Sequence, residues 1–389
     1  MGITEWVAVL VIFAVVYCLI KRYETRLVLI GSGLLLCLIS WNLVGGLNAF
    51  AKSMTNASLV MAICGSMGFA FVAKYTEADR SLVHYLSAPI RGLGIFLVPV
   101  CTAITFFVNI AIPSAAGCAA AVGSTLIPVM LRAGIKPAGA AAAVLAGTIG
   151  SYLSPGTSHN PYVANMAHID VMEFIGFHAP YSIMIGAFGV IGTLIMCILL
   201  GDGKGDKNAK IDESKAQKTD DFTPNPIKAL VPLVPITILV VGNLWCPFIK
   251  MGVAQAMVLG AVIALAVARP NPETFTKEFF NGCGKGYADV MGIIIAAGVF
   301  AAGLREAGLI DVFVQSLKES NEIARWGGSI GPFIMGVITG SGDAATLAFN
   351  ETVTPHAEDF GMSIQGLGGL AFLAGAAGRT ASPLAGVTI

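Results

Sequence analysis

Apolar stretches long enough to carry a helix across a bilayer, about 20 residues, follow one another along almost the whole chain. The candidates are 3–20, 27–44, 57–73, 94–112, 137–153, 181–200, 227–245, 252–268, 287–304, 326–340 and 362–381, about 11 spanning helices. Only 12% of residues are charged, about half the roughly 25% usual in soluble domains. Hydrophobic residues make up 56% and glycine 46 of 389. Lipid must therefore solvate much of the surface, and small residues suit helices that pack closely within it. The expected class is an all-α polytopic membrane protein. The N-terminal "MGITEWVAVLVIFAVVYCLIKRYETR" has neither a basic leader nor a small-residue cleavage site, so it reads as the first span. The basic loop 21–26 favours the cytoplasmic side, although other loops pull inconsistently.

Several functions are excluded. The formal net charge is zero, which gives nucleic acid nothing to bind. The eight cysteines form no CxxC pair and no Cys/His cluster with metal spacing, so they read as small buried hydrophobes. No HExxH and no phosphate-binding GxxxxGK[ST] occurs. An intramembrane enzyme, an ATP-driven pump and a channel are the weaker readings. No cofactor is called for.

The order of segments recurs. "LAGTIGSYLSP" at 145–155 returns as "LAGAAGRTASP" at 373–383, and each follows a short Ser/Gly/Pro-rich segment. Ser114 answers to Ser341, Thr125 to Thr352, Pro128 to Pro355 and Gly134 to Gly361. The chain then divides into a first transmembrane repeat, 1–200, a charged linker, 201–226, and a second repeat, 227–389. Internal repeats in membrane chains point to transporters with a site where the halves meet. Six spans in the first half would by themselves give parallel repeats.

The repeated phrase carries the chemistry. Pro155 and Pro383 should break their helices near Ser154 and Ser382. Non-helical backbone at membrane depth is tolerated only inside protein or facing a polar cavity. There, freed N–H groups favour anions and freed carbonyls favour cations. The candidate substrate-binding residues are Ser114, Ser154, Thr157, Ser158, Asn160, Ser341, Arg379, Thr380 and Ser382. Arg379 is singled out because a guanidinium fork matches a carboxylate. Candidates for the coupling ion, H⁺ or Na⁺, are Asn109, Gly150, His159, Asp343 and Gly378. Plainer readings stand beside these: proline kinks that serve packing alone, Asp343 as a helix cap, Arg379 snorkelling to an interface, and His159 as a structural histidine.

"IPSAAGCAAAVGSTLIPVMLRAGIKPAGAAAAVLAGTIGSYLSPGTSHN", "MGIIIAAGVFAAGLREAGLI" and "TGSGDAATLAFNETVTPHAEDFGMS" with "LAGAAGRTASPLAGV" resemble the anaerobic C4-dicarboxylate transporters of the DcuC family. The resemblance implies fumarate, succinate or malate as cargo, moved by H⁺- or Na⁺-coupled symport, efflux or exchange across a bacterial inner membrane. It also implies two inverted repeats, each with a re-entrant hairpin, at 113–134 and 341–361, and a broken helix. A second copy of the chain is admitted as a partner, besides the substrate and the bilayer. Short-chain fatty acids, amino acids or Na⁺/H⁺ exchange are the alternative cargoes. The family continues past the second "SPLAG" with another spanning helix, so the expectation is a second half that lacks the counterpart of 181–200.

Overall fold

The computed structural model describes residues 2–87, 93–202, 222–312, 321–339 and 342–382, and all regular structure among them is helical. Most of the expected linker lies outside the described residues. The chain begins with α1 (Ile3–Ile20), α2 (Thr25–Ile39), α3 (Leu43–Met54), α4 (Ala57–Tyr75) and the amphipathic α5 (Ala78–Ser87). The expected span 27–44 is thus divided. Trp41 adopts φ +59°, and Asn42 caps a new helix by accepting from Gly45 N at 3.0 Å, which satisfies a donor that the helix start leaves open.

Next come α6 (Leu97–Ala111), α7 (Ala115–Arg132), α8 (Pro137–Gly147), α9 (His159–Met166) and α10 (Val171–Leu199). The re-entrant hairpin expected at 113–134 is instead one continuous helix. Its alanine-rich start is the best of helix formers. Ser114 caps it by accepting from Gly117 N, and Pro128 costs it one backbone bond without turning the chain. After α8 the chain tightens into a 3₁₀ stretch, Thr148–Leu153, and then leaves helical geometry at Ser154, φ −83° and ψ 128°.

The second half holds α11 (Pro226–Leu230), α12 (Val234–Leu244), α13 (Val253–Ala268), α14 (Pro272–Lys285) and α15 (Gly292–Glu306), with a π-helical turn, Gly286–Met291, joining the last two. It continues with α16 (Asn321–Thr339), α17 (Gly342–Thr352), a 3₁₀ stretch, Thr354–Phe360, and α18 (Ile364–Ala381). The region expected as the second hairpin is this helix and 3₁₀ turn, with Ser341 itself outside the described residues. At Ser382 the backbone again turns extended, φ −80° and ψ 129°, as expected of a residue that precedes proline.

Six helices among the described residues are long and apolar enough to cross a membrane, and four shorter apolar ones accompany them. Phe13, Leu27, Phe107, Phe188, Leu199 and Trp245 are exposed, as a lipid-facing surface requires. Inside, α6 packs with α7 and α8, and α16 packs with α17 and α18. Two close approaches set these packings. A Cβ on Gly150 would lie 2.0 Å from Phe106 O, and a Cβ on Gly378 would lie 2.1 Å from Phe333 O. The N- and C-terminal halves meet extensively, α15 on α2 and α3 and α13 and α14 on α4, and also where α18 packs against α9, α10 and the 3₁₀ stretch before Ser154.

Candidate functional site

The break at Ser154 is held open by side chains that cap its loose backbone. Asn160 donates to Tyr152 O at 2.9 Å and to Ser154 O at 2.8 Å. Asn109, on α6, donates to Ile112 O and accepts from Ser151 N at 2.6 Å. Thr157 donates to Ser151 O at 2.5 Å, and Ser154 Oγ accepts from Gly156 N. Asn160 and Asn109 are both fully buried, so each amide replaces water for groups that have none. A second layer orients the first: His178 Nε2 meets Asn160 Oδ1 at 3.1 Å, and its Nδ1 meets Ser182 Oγ at 2.9 Å.

Across the meeting of the halves, His159 Nε2 lies 2.9 Å from Asp343 Oδ1. The histidine is 3% exposed, yet the aspartate side chain is 59% exposed. One member of the pair is therefore locked in protein while the other faces open space. Asp343 uses this oxygen for His159 rather than as the helix cap that the sequence also allowed. The His159 ring stacks on Phe372 of α18, centroids 4.7 Å apart, and Tyr152 lies 5.0 Å from the same ring. Phe372 thus gathers residues of both halves around one apolar centre.

Among the described residues, three buried donors here make no hydrogen bond, Tyr152 Oη and Arg379 Nε and Nη2. His159 Nδ1, which gains a proton only when the ring is charged, is unpartnered beside them. Arg379 stands seven residues after Phe372 on α18, hence on the same face, and its field reaches both Asp343 and Tyr152. A buried donor without a partner costs about 1–3 kcal/mol, more when charged. A convergent set of them is what an anion would satisfy, and two guanidinium nitrogens suit a carboxylate held bidentately.

The other candidates divide. Ser382 donates to Val337 O at 2.6 Å and Thr380 to Ala376 O at 3.0 Å, so both brace the end of α18. Ser158 is half-buried at the start of α9 and makes no side-chain cap there. Ser114 is an exposed cap of α7. Gly150 and Gly378 sit at the close helix approaches already described.

Tyr152, His178, Ser182 and Phe372 were not singled out from the sequence. A histidine two residues before Pro180, inside an apolar span, is a signal that could have found His178. The stretch "GGSIG", 327–331, also has the spacing of a hydrolase nucleophile elbow. It lies within α16 rather than at a strand-to-helix turn, and Ser329 donates to Arg325 O. A trough of about 830 Å³ between α10, α16 and α18 is lined by Phe177, Tyr181, Trp326 and Leu370. Its lining is mostly apolar, with Arg325 and Ser329 on the α16 side.

Residues 47–389 match the C4-dicarboxylate anaerobic carrier family, DcuC. An uncharacterized transporter of Haemophilus influenzae is 46% identical over 245 residues, 61% of this chain and 88% of that protein. The anaerobic C4-dicarboxylate transporter DcuC of Escherichia coli K12 is 27% identical, covering 98% of this chain and 88% of its own length. Among solved structures, the Alcanivorax borkumensis YdaH transporter, whose topology is described as unusual, superposes with a TM-score of 0.57. The match covers 88% of this chain and 78% of that one at 12% identity, a likeness of fold.

Proposed function

Because this chain belongs to the DcuC family, we propose that it is a secondary active transporter of C4-dicarboxylates such as fumarate, succinate and malate. The family is one of carriers and not of enzymes, and the chain is a multi-pass protein of the bacterial inner membrane. One observation carries the reading of the site. The unpaired nitrogens of Arg379 stand with the buried Tyr152 hydroxyl, which has Thr380 beside it, and with His159 Nδ1 where α18 meets the broken helix. In this reading Arg379 takes one carboxylate as a fork and the Tyr152 hydroxyl adds a donor, while His159 Nδ1 can donate only when a proton is shared into the His159–Asp343 pair.

Charge then calls for a coupling ion. Two like charges about 4 Å apart repel by roughly 4 kcal/mol at an effective dielectric of 20. A dicarboxylate therefore binds poorly beside an ionised Asp343 unless a cation arrives with it. A proton shared by His159 and Asp343, or Na⁺ at the loosened backbone, supplies that charge. Two inverted repeats that rock about the site would give alternating access. The like approaches of Gly150 to Phe106 and Gly378 to Phe333 support this arrangement.

The test is uptake of labelled succinate into proteoliposomes under imposed H⁺ or Na⁺ gradients, with fumarate, malate and monocarboxylates as competitors. Gradient-driven accumulation that dicarboxylates block and monocarboxylates do not is expected. Flux that no gradient can concentrate, or equal competition by monocarboxylates, would overturn the reading.

A further inference from the structure

A second polar recess lies apart from the Arg379 cluster. It is a cleft of about 280 Å³ between α3, α9 and α15, and Tyr162 and Glu351 lie in its wall. Tyr162, 4% exposed, donates its hydroxyl to Glu351 Oε2. Glu351 Oε1 makes no hydrogen bond among the described residues and sits beside Gly298 of α15, 3.8 Å from where a Cβ would stand. A Cβ there would stand 2.5 Å from Ser53 Oγ, so the glycine lets α3 close over this end of the cleft.

The charged groups around Glu351 come from several elements. Lys52 of α3 and Arg305 of α15 are exposed on the cleft wall, and neither enters an ion pair among the described residues. Beyond the end of α17, His356 is turned to Asp359, Nδ1 to Oδ2 3.6 Å. Asn56 and Asn165 complete the polar lining and bond each other at 3.3 Å. Glu351 is the one carboxylate among the residues that line the cleft, and water can reach it there.

What gives this acid leverage is where its partner sits. Tyr162 and His159 are on the same face of α9, three residues apart. Glu351 and Asp343 both belong to α17. The two helices, one from each half, are thus cross-linked twice: His159 to Asp343 at the substrate cluster, and Tyr162 to Glu351 at the cleft. We propose that Glu351 is a proton-binding group of the transport cycle, loaded from the cleft and coupled to the substrate site through these paired links. A proton from cleft water adds to the free Oε1 and yields the neutral acid; it leaves by the same route. A bond to an ionised acceptor is roughly twice as strong as one between neutral groups. Protonation therefore loosens one of the two links and shifts the balance between arrangements of α9 and α17.

The proposal rests on the transporter reading, and the experiment separates the two. Wild-type protein in proteoliposomes is assayed for succinate counterflow without gradients, then for accumulation driven by one unit of inward pH gradient. Absence of wild-type counterflow would refute the transporter reading itself. With counterflow present, Glu351→Gln should preserve it and lose the accumulation that one coupled proton supports, up to about tenfold per pH unit. Accumulation like wild type, loss of counterflow in a variant that still elutes as folded protein, or a wild type that ignores the pH gradient would each overturn the proposal. If Glu351→Gln fails to assemble, Tyr162→Phe carries the test, because it keeps the ring and removes only the bond. It should keep counterflow and lower pH-driven accumulation; unchanged accumulation overturns the idea.

Discussion

Replacing Gly150 by alanine tests how firmly the helix break is anchored. The added Cβ would lie 2.0 Å from Phe106 O and 2.8 Å from its carbonyl carbon. Ordinary contact begins at 3.4 Å, so 3.4 − 2.0 leaves about 1.4 Å to be found. The atom in the way is helix backbone, and close-packed interiors absorb such shifts poorly. Overpacking of this kind costs about 1–3 kcal/mol. The next residue adds to it: Ser151 N is 2.6 Å from Asn109 Oδ1, and the same shift directed along that bond would stretch it to roughly 4.0 Å, beyond hydrogen bonding. Two buried polar groups would then be stranded, at about 1–3 kcal/mol each. Thermal melting in detergent, read by size exclusion, should place Gly150→Ala well below wild type, with succinate uptake falling alongside. Gly378→Ala, whose Cβ meets Phe333 O at 2.1 Å, should behave alike. Gly176→Ala and Gly331→Ala, with nothing within 4 Å, should be neutral or gain up to about 1 kcal/mol of helix propensity. Wild-type melting of Gly150→Ala would refute the packing argument. A deficit at only one of Gly150 and Gly378 would refute the equivalence of the halves.

Arg379→Ala should weaken succinate binding by about 10- to 150-fold, the equivalent of 1.5–3 kcal/mol for a charge-assisted bond, while melting changes little; Arg379→Lys keeps the charge but not the fork and should recover only part. Normal transport by Arg379→Ala would remove it from the site. Asn160→Ala leaves Tyr152 O and Ser154 O without their donor and should destabilise by about 2–4 kcal/mol, seen as lost melting temperature and lost counterflow together. Asp343→Asn should flatten the pH dependence of uptake, and an unchanged pH profile would exclude the His159–Asp343 pair from coupling.

The parts of this fold that can be read from the chain are those that local chemistry decides. Ser154 and Ser382 take nearly the same extended backbone because a proline follows each, and no distant contact is needed to foresee it. Likewise 3–20 and 57–73 lie on α1 and α4 because apolar length alone sets a span. α3 was hidden because hydropathy runs through Leu43 and Val44 without a pause. Only the left-handed turn at Trp41 and the cap by Asn42 separate it from α2. The hairpin at 113–134 was misjudged for the opposite reason. Glycine, serine and proline there look like a turn, yet an alanine run outweighs one missing backbone bond. The site was legible in its residue types and not in its pairings. Nothing near His159 names Asp343 as its partner, since 184 positions separate them. Tyr152 and Phe372 acquire meaning only when α18 packs beside the broken helix.

The π turn between α14 and α15 has a mechanical side. Pro272–Glu306 runs for 35 residues, about 52 Å of rod, longer than the roughly 30 Å of hydrocarbon it crosses. A wide turn lodges one surplus residue in such a rod, and each residue advances the spiral by about 100°. The lower part can therefore nest Gly282 on the backbone of Met67 in α4 while the upper part nests Gly303 on Gly33 in α2.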